Sequence, residues 1–231
     1  MIHQRKCGCG SAVLPVKAYS GFVKDVLVAP ERLQRWLDGF TERHGATSWQ
    51  FGADVVAGSA ADGTRVECRL PFPPLRVDES LPYGGLIAHA ARDRIVGVIV
   101  VRRGGYAAGI FEGRTLVSSK VGSRHVQGRS AAGGQSQQRF ARRRQKQARE
   151  AFEAAADVAL RVVGPEAGRL DAVVLGGDRS AVAQVMDDPR LAPLRELVVD
   201  EHLSIPDPKL AVLKDTPKQF RAVRIRLTER T

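Results

Sequence analysis

The chain has 231 residues, 43% of them hydrophobic and 26% charged, with a net charge of +11. That length supports one large domain or two small ones, and the composition is that of an ordinary soluble protein with a real core. No apolar run approaches the ~20 residues that span a bilayer, the basic N-terminus lacks the apolar stretch of a secretory signal, and three cysteines make no disulfide framework. The cytoplasm is therefore the expected compartment, without a membrane partner.

Residues 1–25 mix Cys, Gly, Lys and short apolar pieces without periodicity and are expected to form a loosely ordered leader. Cys7 and Cys9 lie close to His3, but a stable zinc site draws on four ligands, and Cys68 is the only other thiol. No metal or cofactor is expected. Pro30 then opens a helix carrying Leu33, Trp36, Leu37 and Phe40 on one face, with Gly45 as its stop. Two strands are expected next, Ser48–Val56 and Thr64–Leu70, joined through Asp62-Gly63, before a proline-rich connector at 71–74. These elements suggest a small α/β unit over 26–91.

The second half, 92–231, has a clearer rhythm. Arg94–Arg102, Tyr106–Phe111 and Arg114–Val121 read as three strands joined by glycine-containing turns. A Gly- and Arg-rich loop follows, and Ser136–Val163 reads as a long helix. Its expected buried stripe is Phe140, Ala148, Ala151, Phe152, Ala155, Ala159 and Val162, and Gly164-Pro165 ends it. Leu170–Leu175 (strand), Ser180–Met186 (helix), Leu194–Val199 (strand) and Arg221–Leu227 (strand) complete the series. Hairpin strands followed by alternating helix and strand describe an α/β protein with a mixed sheet covered by helices, in a ribonuclease-H-like arrangement.

The charge is local. Between Gly113 and Arg149 there is no Asp or Glu, while ten Lys and Arg residues account for nearly all of the excess. A one-sign cluster of this kind is the footprint of a polyanion-binding face, and it lacks the bulky apolar face of a membrane-surface helix. Within it lies Gly133-Gly134-Gln135, where two adjacent glycines allow backbone conformations closed to other residues and a close approach to a ligand. A flexible linker is the plainer reading of Gly-Gly alone. Gln135 and the arginines behind it instead describe a loop that reaches into an RNA-lined cavity while the helix holds phosphates.

The string Gly133-Gly134-Gln135-Ser136-Gln137-Gln138-Arg139-Phe140-Ala141-Arg142 closely resembles the catalytic loop and following helix of eukaryotic and archaeal class I peptide release factors. The upstream hairpin strands, the long helix and the Val173–Gly177 strand end are also similar to that family's middle domain, over roughly 92–231. Within the wider family the chain looks most like the stand-alone Vms-type branch of actinobacteria. Bacterial release factors carry Gly-Gly-Gln on an unrelated fold, usually followed by His or Asn and then Val, from which Ser136-Gln137 departs.

The resemblance implies a codon-independent peptidyl-tRNA hydrolase that frees nascent peptide from stalled or split large ribosomal subunits, with ribosomal RNA and peptidyl-tRNA as partners. No stop-codon reader is recognisable in the residues before the match. Gln135, with Gly134 and Gly133, would be catalytic, and Ser136 and Phe140 would support the loop. Arg124, Arg129, Arg139, Arg142, Arg143, Arg144, Lys146 and Arg149 are the expected RNA contacts. An amide does not titrate near neutrality, so Gln135 would position water and donate to a developing oxyanion rather than act as a base. Two alternatives stay open: a nuclease cutting near the tRNA acceptor end, and a non-catalytic RNA-binding module. Asp171, Asp178, Asp187 and Asp188 could suggest the metal carboxylates of a ribonuclease-H-like nuclease, but the first strand, Arg94–Arg102, has no internal acid where such an enzyme would place one, and Asp178 beside Gly177 reads better as a turn or helix cap.

Overall fold

The computed structural model describes residues 21–102, 105–123 and 136–230, with side chains of the long helix from Gln145 onward. The first elements are β1 (Gly21–Val28), α1 (Pro30–His44), β2 (Thr47–Phe51), β3 (Val55–Ala60), β4 (Arg65–Arg69) and α2 (Leu86–Ala91). β5 (Ile95–Arg102), β6 (Gly105–Glu112), β7 (Thr115–Gly122), α3 (Ser136–Val162), β8 (Ala172–Gly177) and α4 (Arg179–Met186) follow. The chain closes with α5 (Ala192–Arg195), β9 (Val198–Leu203), α6 (Leu210–Asp215), α7 (Pro217–Phe220) and β10 (Val223–Arg230).

Two five-stranded sheets result. The first has the order β1-β10-β4-β3-β2 and is antiparallel throughout. One of its faces is covered by α1, whose Leu33, Leu37 and Phe40 are fully buried against Val56, Val66, Cys68 and Ile225. Pro30 pre-sets the first helical φ, Glu31 and the pair Arg43 and His44 oppose the helix dipole at its two ends, and Gly45 closes the helix at φ 86°. The alternation in β4 places Val66 and Cys68 inward and Arg65, Glu67 and Arg69 outward. Burial pushes the Cys68 thiol up to about 12, so it is an inert core residue.

This sheet departs from the sequence expectation in three places. Residues 21–25, expected in the leader, are strand, pairing with β10 from Gly21↔Arg230 onward. The run expected as one strand over Ser48–Val56 is two, because the Gly52 N–H donates to the Val55 carbonyl at 3.0 Å and turns the chain. β10, expected beside the second half, lies between β1 and β4. Its alternating pattern specified a strand but not the partners, and its inward Val223 and Ile225 fill the core under α1.

The second sheet has the order β7-β6-β5-β8-β9 with only β6 antiparallel to the rest, the ribonuclease-H-like arrangement expected. Helices cover both faces. Ile99 and Val101 meet α3 and α4 on one side, while Val96, Val98 and Val100 meet Leu213 of α6 and Phe220 of α7 on the other. Burial on both faces explains why β5 is a continuous apolar run rather than an alternating one. At Gly97 a Cβ would sit 2.7 Å from Val163, so the absent side chain lets the end of α3 close onto the sheet.

The strand expected at Leu194–Val199 begins later. Pro193 sits in the first turn of α5, and Arg195 donates to the Met186 carbonyl at 2.6 Å and the Asp188 carbonyl at 2.9 Å, fastening that turn to α4. β9 then runs through Asp200-Glu201-His202, polar residues that an edge strand tolerates and hydrophobicity does not report.

Candidate catalytic loop and basic helix

β7 runs parallel to β5, and α3 returns antiparallel to it, so the intervening loop emerges at the end of the second sheet where β5, β8 and β9 finish. Gly122 and Ser123 lead out, and Ser136 begins α3. Gly133, Gly134, Gln135, Arg124 and Arg129 lie outside the described residues. Ser136, Arg139, Phe140, Arg142, Arg143 and Arg144 are in the first turns of α3, with side chains outside the description.

Burial divides the described part of α3 into two. Ala155, Ala156, Val158 and Ala159 are buried against β5, β6 and α4. Ala148, Ala151, Phe152 and Val162 are half-buried, and Ala156 and Val158 widen the expected stripe because α3 packs on α4 as well as on the sheet. Lys146, 75% exposed, and Arg149 point to solvent, off that stripe as expected. Lys146 approaches Glu150 at 3.9 Å, a helix-surface pair worth a few tenths of a kcal/mol (about 0.3–0.5) and no obstacle to a stronger anion. At about 1.5 Å per residue, roughly 28 Å of helix separates Ala155 from Ser136. The helix is thus seated at its C-terminal end and carries its cations toward the loop.

The aspartates considered for metal chemistry have other work. Asp171 Oδ2 accepts from the Ile95 N–H at 2.8 Å while its own N–H donates to the Ile95 carbonyl, locking the start of β8 to β5. Asp178 caps α4 by accepting from the Ser180 and Ala181 N–H groups, as its position beside Gly177 suggested. Asp187 closes the same helix. Asp188 accepts from the Arg190 guanidinium and backbone N–H, which hold its carboxyl down to about 2. Among the described residues no three His, Cys, Asp or Glu side chains come together to hold a metal ion.

A cavity of about 550 Å³ between the two sheets offers no competing polyanion site either. Two of its arginines are paired, Arg226 with Asp25 at 3.0 Å and Arg224 with Glu201 at 2.7 Å, and Glu67 and Asp200 add acidic groups to the same lining. The longest acid-free basic stretch of the sequence, Gly113 to Arg149, runs through β7, the loop and the start of α3.

The family model for the actinobacterial and chloroflexi VLRF1 release factor matches residues 94–226, more than half of the chain. The chain belongs to that release-factor family. The match contains β5 to α7, the whole loop and all the RNA-contact residues expected from the sequence. No curated protein matches. Among solved structures, the archaeal translation termination factor aRF1 is similar at 13% identity and a TM-score of 0.42, covering 84% of this chain and 73% of that one. A Vms1 mitochondrial localization core is similar at 11% identity and 0.41, covering 84% and 80%. An archaeal protein gives 14% and 0.40, covering 84% and 73%.

The geometry adds two residues that the sequence reading did not single out. Tyr106, in β6, stands opposite Gly122 at the root of the loop. The signal was present as an aromatic and a glycine near facing strand ends, but the register that pairs them is a property of the folded hairpin.

Proposed function

We propose that this member of the VLRF1 release-factor family is a codon-independent peptidyl-tRNA hydrolase acting on stalled or split large ribosomal subunits in the cytoplasm. The observation that carries the reading is that the family match encloses Gly133-Gly134-Gln135 directly ahead of a helix whose cations have no acidic counterpart before Glu150. The reaction is attack of water on the ester that joins the peptide to the terminal adenosine of tRNA. Gly133 and Gly134 let the backbone close on that ester, and Gln135 holds the water in line and donates to the oxyanion. Ser136 and Phe140 support the loop. Arg124, Arg129, Arg139, Arg142, Arg143, Arg144, Lys146 and Arg149 engage phosphates of ribosomal RNA and the tRNA acceptor arm, which position without specifying sequence.

The engagement of Asp171, Asp178 and Asp188 in backbone and ion-pair contacts supports hydrolysis over metal-dependent cleavage of the tRNA. The test is release of labelled peptide from large subunits carrying peptidyl-tRNA. Loss of an oxyanion-stabilising donor typically costs about 10²–10³ in rate, so Gln135→Ala should slow release by that order and leave the tRNA 3′ end intact in both proteins. A shortened tRNA would establish a nuclease, and equal rates for wild type and Gln135→Ala would remove Gln135 from the chemistry.

A further inference from the structure

At the opposite end of β7 from Gly122, the turn between β6 and β7 meets the start of α1 and the α6–α7 segment. A cavity of about 290 Å³ opens there, lined by Glu31 and by four cations, Arg114, Lys214, Lys218 and Arg221. Glu31 belongs to the first turn of α1, Arg114 follows the left-handed Gly113 at φ 58°, and the other three come from α6, α7 and the residue after α7. The cluster therefore exists only in the folded chain. The rest of its wall is alanine and proline.

Glu31 stands among these cations as their counter-ion. Its Oε1 meets Arg221 at 3.3 Å and Arg114 at 3.5 Å, so two guanidinium groups converge on one oxygen. Its own backbone N–H, and then the charges of Arg221 and Arg114, hold its carboxyl below the ordinary value against the opposing effect of burial. Both contacts are longer than the ~2.7–2.9 Å of a charge-assisted hydrogen bond, so this carboxylate saturates neither guanidinium. Arg221 is buried and meets Asp93 at 3.5 Å, Lys218 pairs with Asp215 at 2.6 Å, and Lys214 makes no ion pair among the described residues. Asp93 and Asp215 are 79% and 65% exposed, and water screens what they contribute.

The wall selects among anions. A peptide anchor needs an apolar or aromatic recess, which alanine and proline do not make, whereas a phosphate needs charge and donors alone. Arg114 also heads the acid-free stretch, and β7 continues from it as an edge strand with Ser118, Ser119 and Lys120 exposed. Lys120 lies roughly 20 Å from Arg114 at ~3.3 Å per residue, too far for one phosphate to bridge but within the span of a nucleic-acid strand. We propose that this pocket binds a backbone phosphate of RNA. Arg221 is its fixed base, Arg114, Lys214 and Lys218 close on the phosphate, and Glu31 is the internal counter-ion that the phosphate displaces. The proposal rests on the reading of ribosomal RNA as a partner and adds a contact at the end of the second sheet away from Gly122.

The experiment measures binding of full chains to large ribosomal subunits and to a single-stranded RNA oligonucleotide over a range of salt. The substituted residues are exposed, so thermal melts should stay near wild type. The triple variant Arg114→Gln/Lys214→Gln/Lys218→Gln is expected to bind both about tenfold more weakly, with the salt slope for the oligonucleotide reduced by about 0.7 for one lost phosphate. Glu31→Gln removes the competing carboxylate and should tighten binding about threefold, a sign that a merely structural ion pair would not give. Unchanged affinity in the triple variant, or weaker binding by Glu31→Gln, overturns the proposal. So does an equal loss in the charge-matched Arg32→Gln/Arg35→Gln/Arg43→Gln on the exposed side of α1, which would reduce the effect to bulk charge. A loss toward subunits with none toward the oligonucleotide would make the occupant a ribosomal protein and overturn it too. If Lys146→Gln with Arg149→Gln lowers the slope and the triple variant does not, the pocket alone falls; if neither moves it, the RNA reading falls with it.

Discussion

The two ends of α3 are one helix under two different solvents. Toward its C-terminus, Ala155, Ala156, Val158 and Ala159 are buried, and small side chains let the helix lie close on β6 and α4. Toward its N-terminus, Lys146 and Arg149 are exposed and the preceding turns add four arginines without a single acid. The seat is selected for volume and the forward end for charge. Exposure at Lys146 and Arg149 lets this part of the helix carry charge that a buried face would not tolerate.

The largest expected effect lies in the core on the other face of the sheet that seats α3. Phe111 is fully buried and meets Phe220 edge-to-face at 5.5 Å beneath the hairpin that feeds the loop. Phe111→Ala should cost about 3–5 kcal/mol, lowering the melting temperature by about 6–20 °C at ~2–4 °C per kcal/mol for a chain of this size. Peptide release measured well below the new midpoint should be retained. A melt within a degree of wild type would show that this layer does not hold the sheet.

A smaller effect belongs to the forward end. Lys146→Gln with Arg149→Gln should leave the melt nearly unchanged, as exposed substitutions do within about 0.5 kcal/mol. If both residues contact phosphates, the slope of log affinity for large subunits against log salt should fall by about 1.4–1.8, at ~0.7–0.9 per contact. An unchanged slope would reduce this face of α3 to a solubilising surface and break the contrast between its two ends.

The smallest effect sharpens the seat's electrostatics. The Arg190 guanidinium holds the Asp188 carboxyl at about 2, below its ordinary value of about 3.9. A carboxyl depressed in the folded state contributes stability above its unfolded value and loses it as pH falls through the folded one. Asp188 should therefore add a small part of the acid destabilisation between about pH 4 and pH 2. Asp188→Asn should flatten that part of the stability profile; identical acid limbs in the two proteins would show that the pair contributes nothing in solution.

Much of this was legible in the residues themselves. The apolar run of β5, the i, i+3, i+4, i+7 face of α1, the cap at Asp178 and the acid-free basic segment each depend on near neighbours in sequence, where spacing and residue type carry the physics. The Gly-Gly-Gln string and the helix behind it were local in the same sense. What the tertiary structure decided was partnership. β10 joins the first sheet because Val223 and Ile225 complete the core under α1, a choice that no pattern within 223–230 encodes. β9 starts after a proline turn that Arg195 pins to α4, and its polar residues survive as strand only because the sheet ends there. Tyr106 gains its place over Gly122 from a register set by the whole hairpin. Sequence determined which residues form strands, helices and charge; only long-range packing determined which of them meet, because that is settled by the burial of distant surfaces against one another.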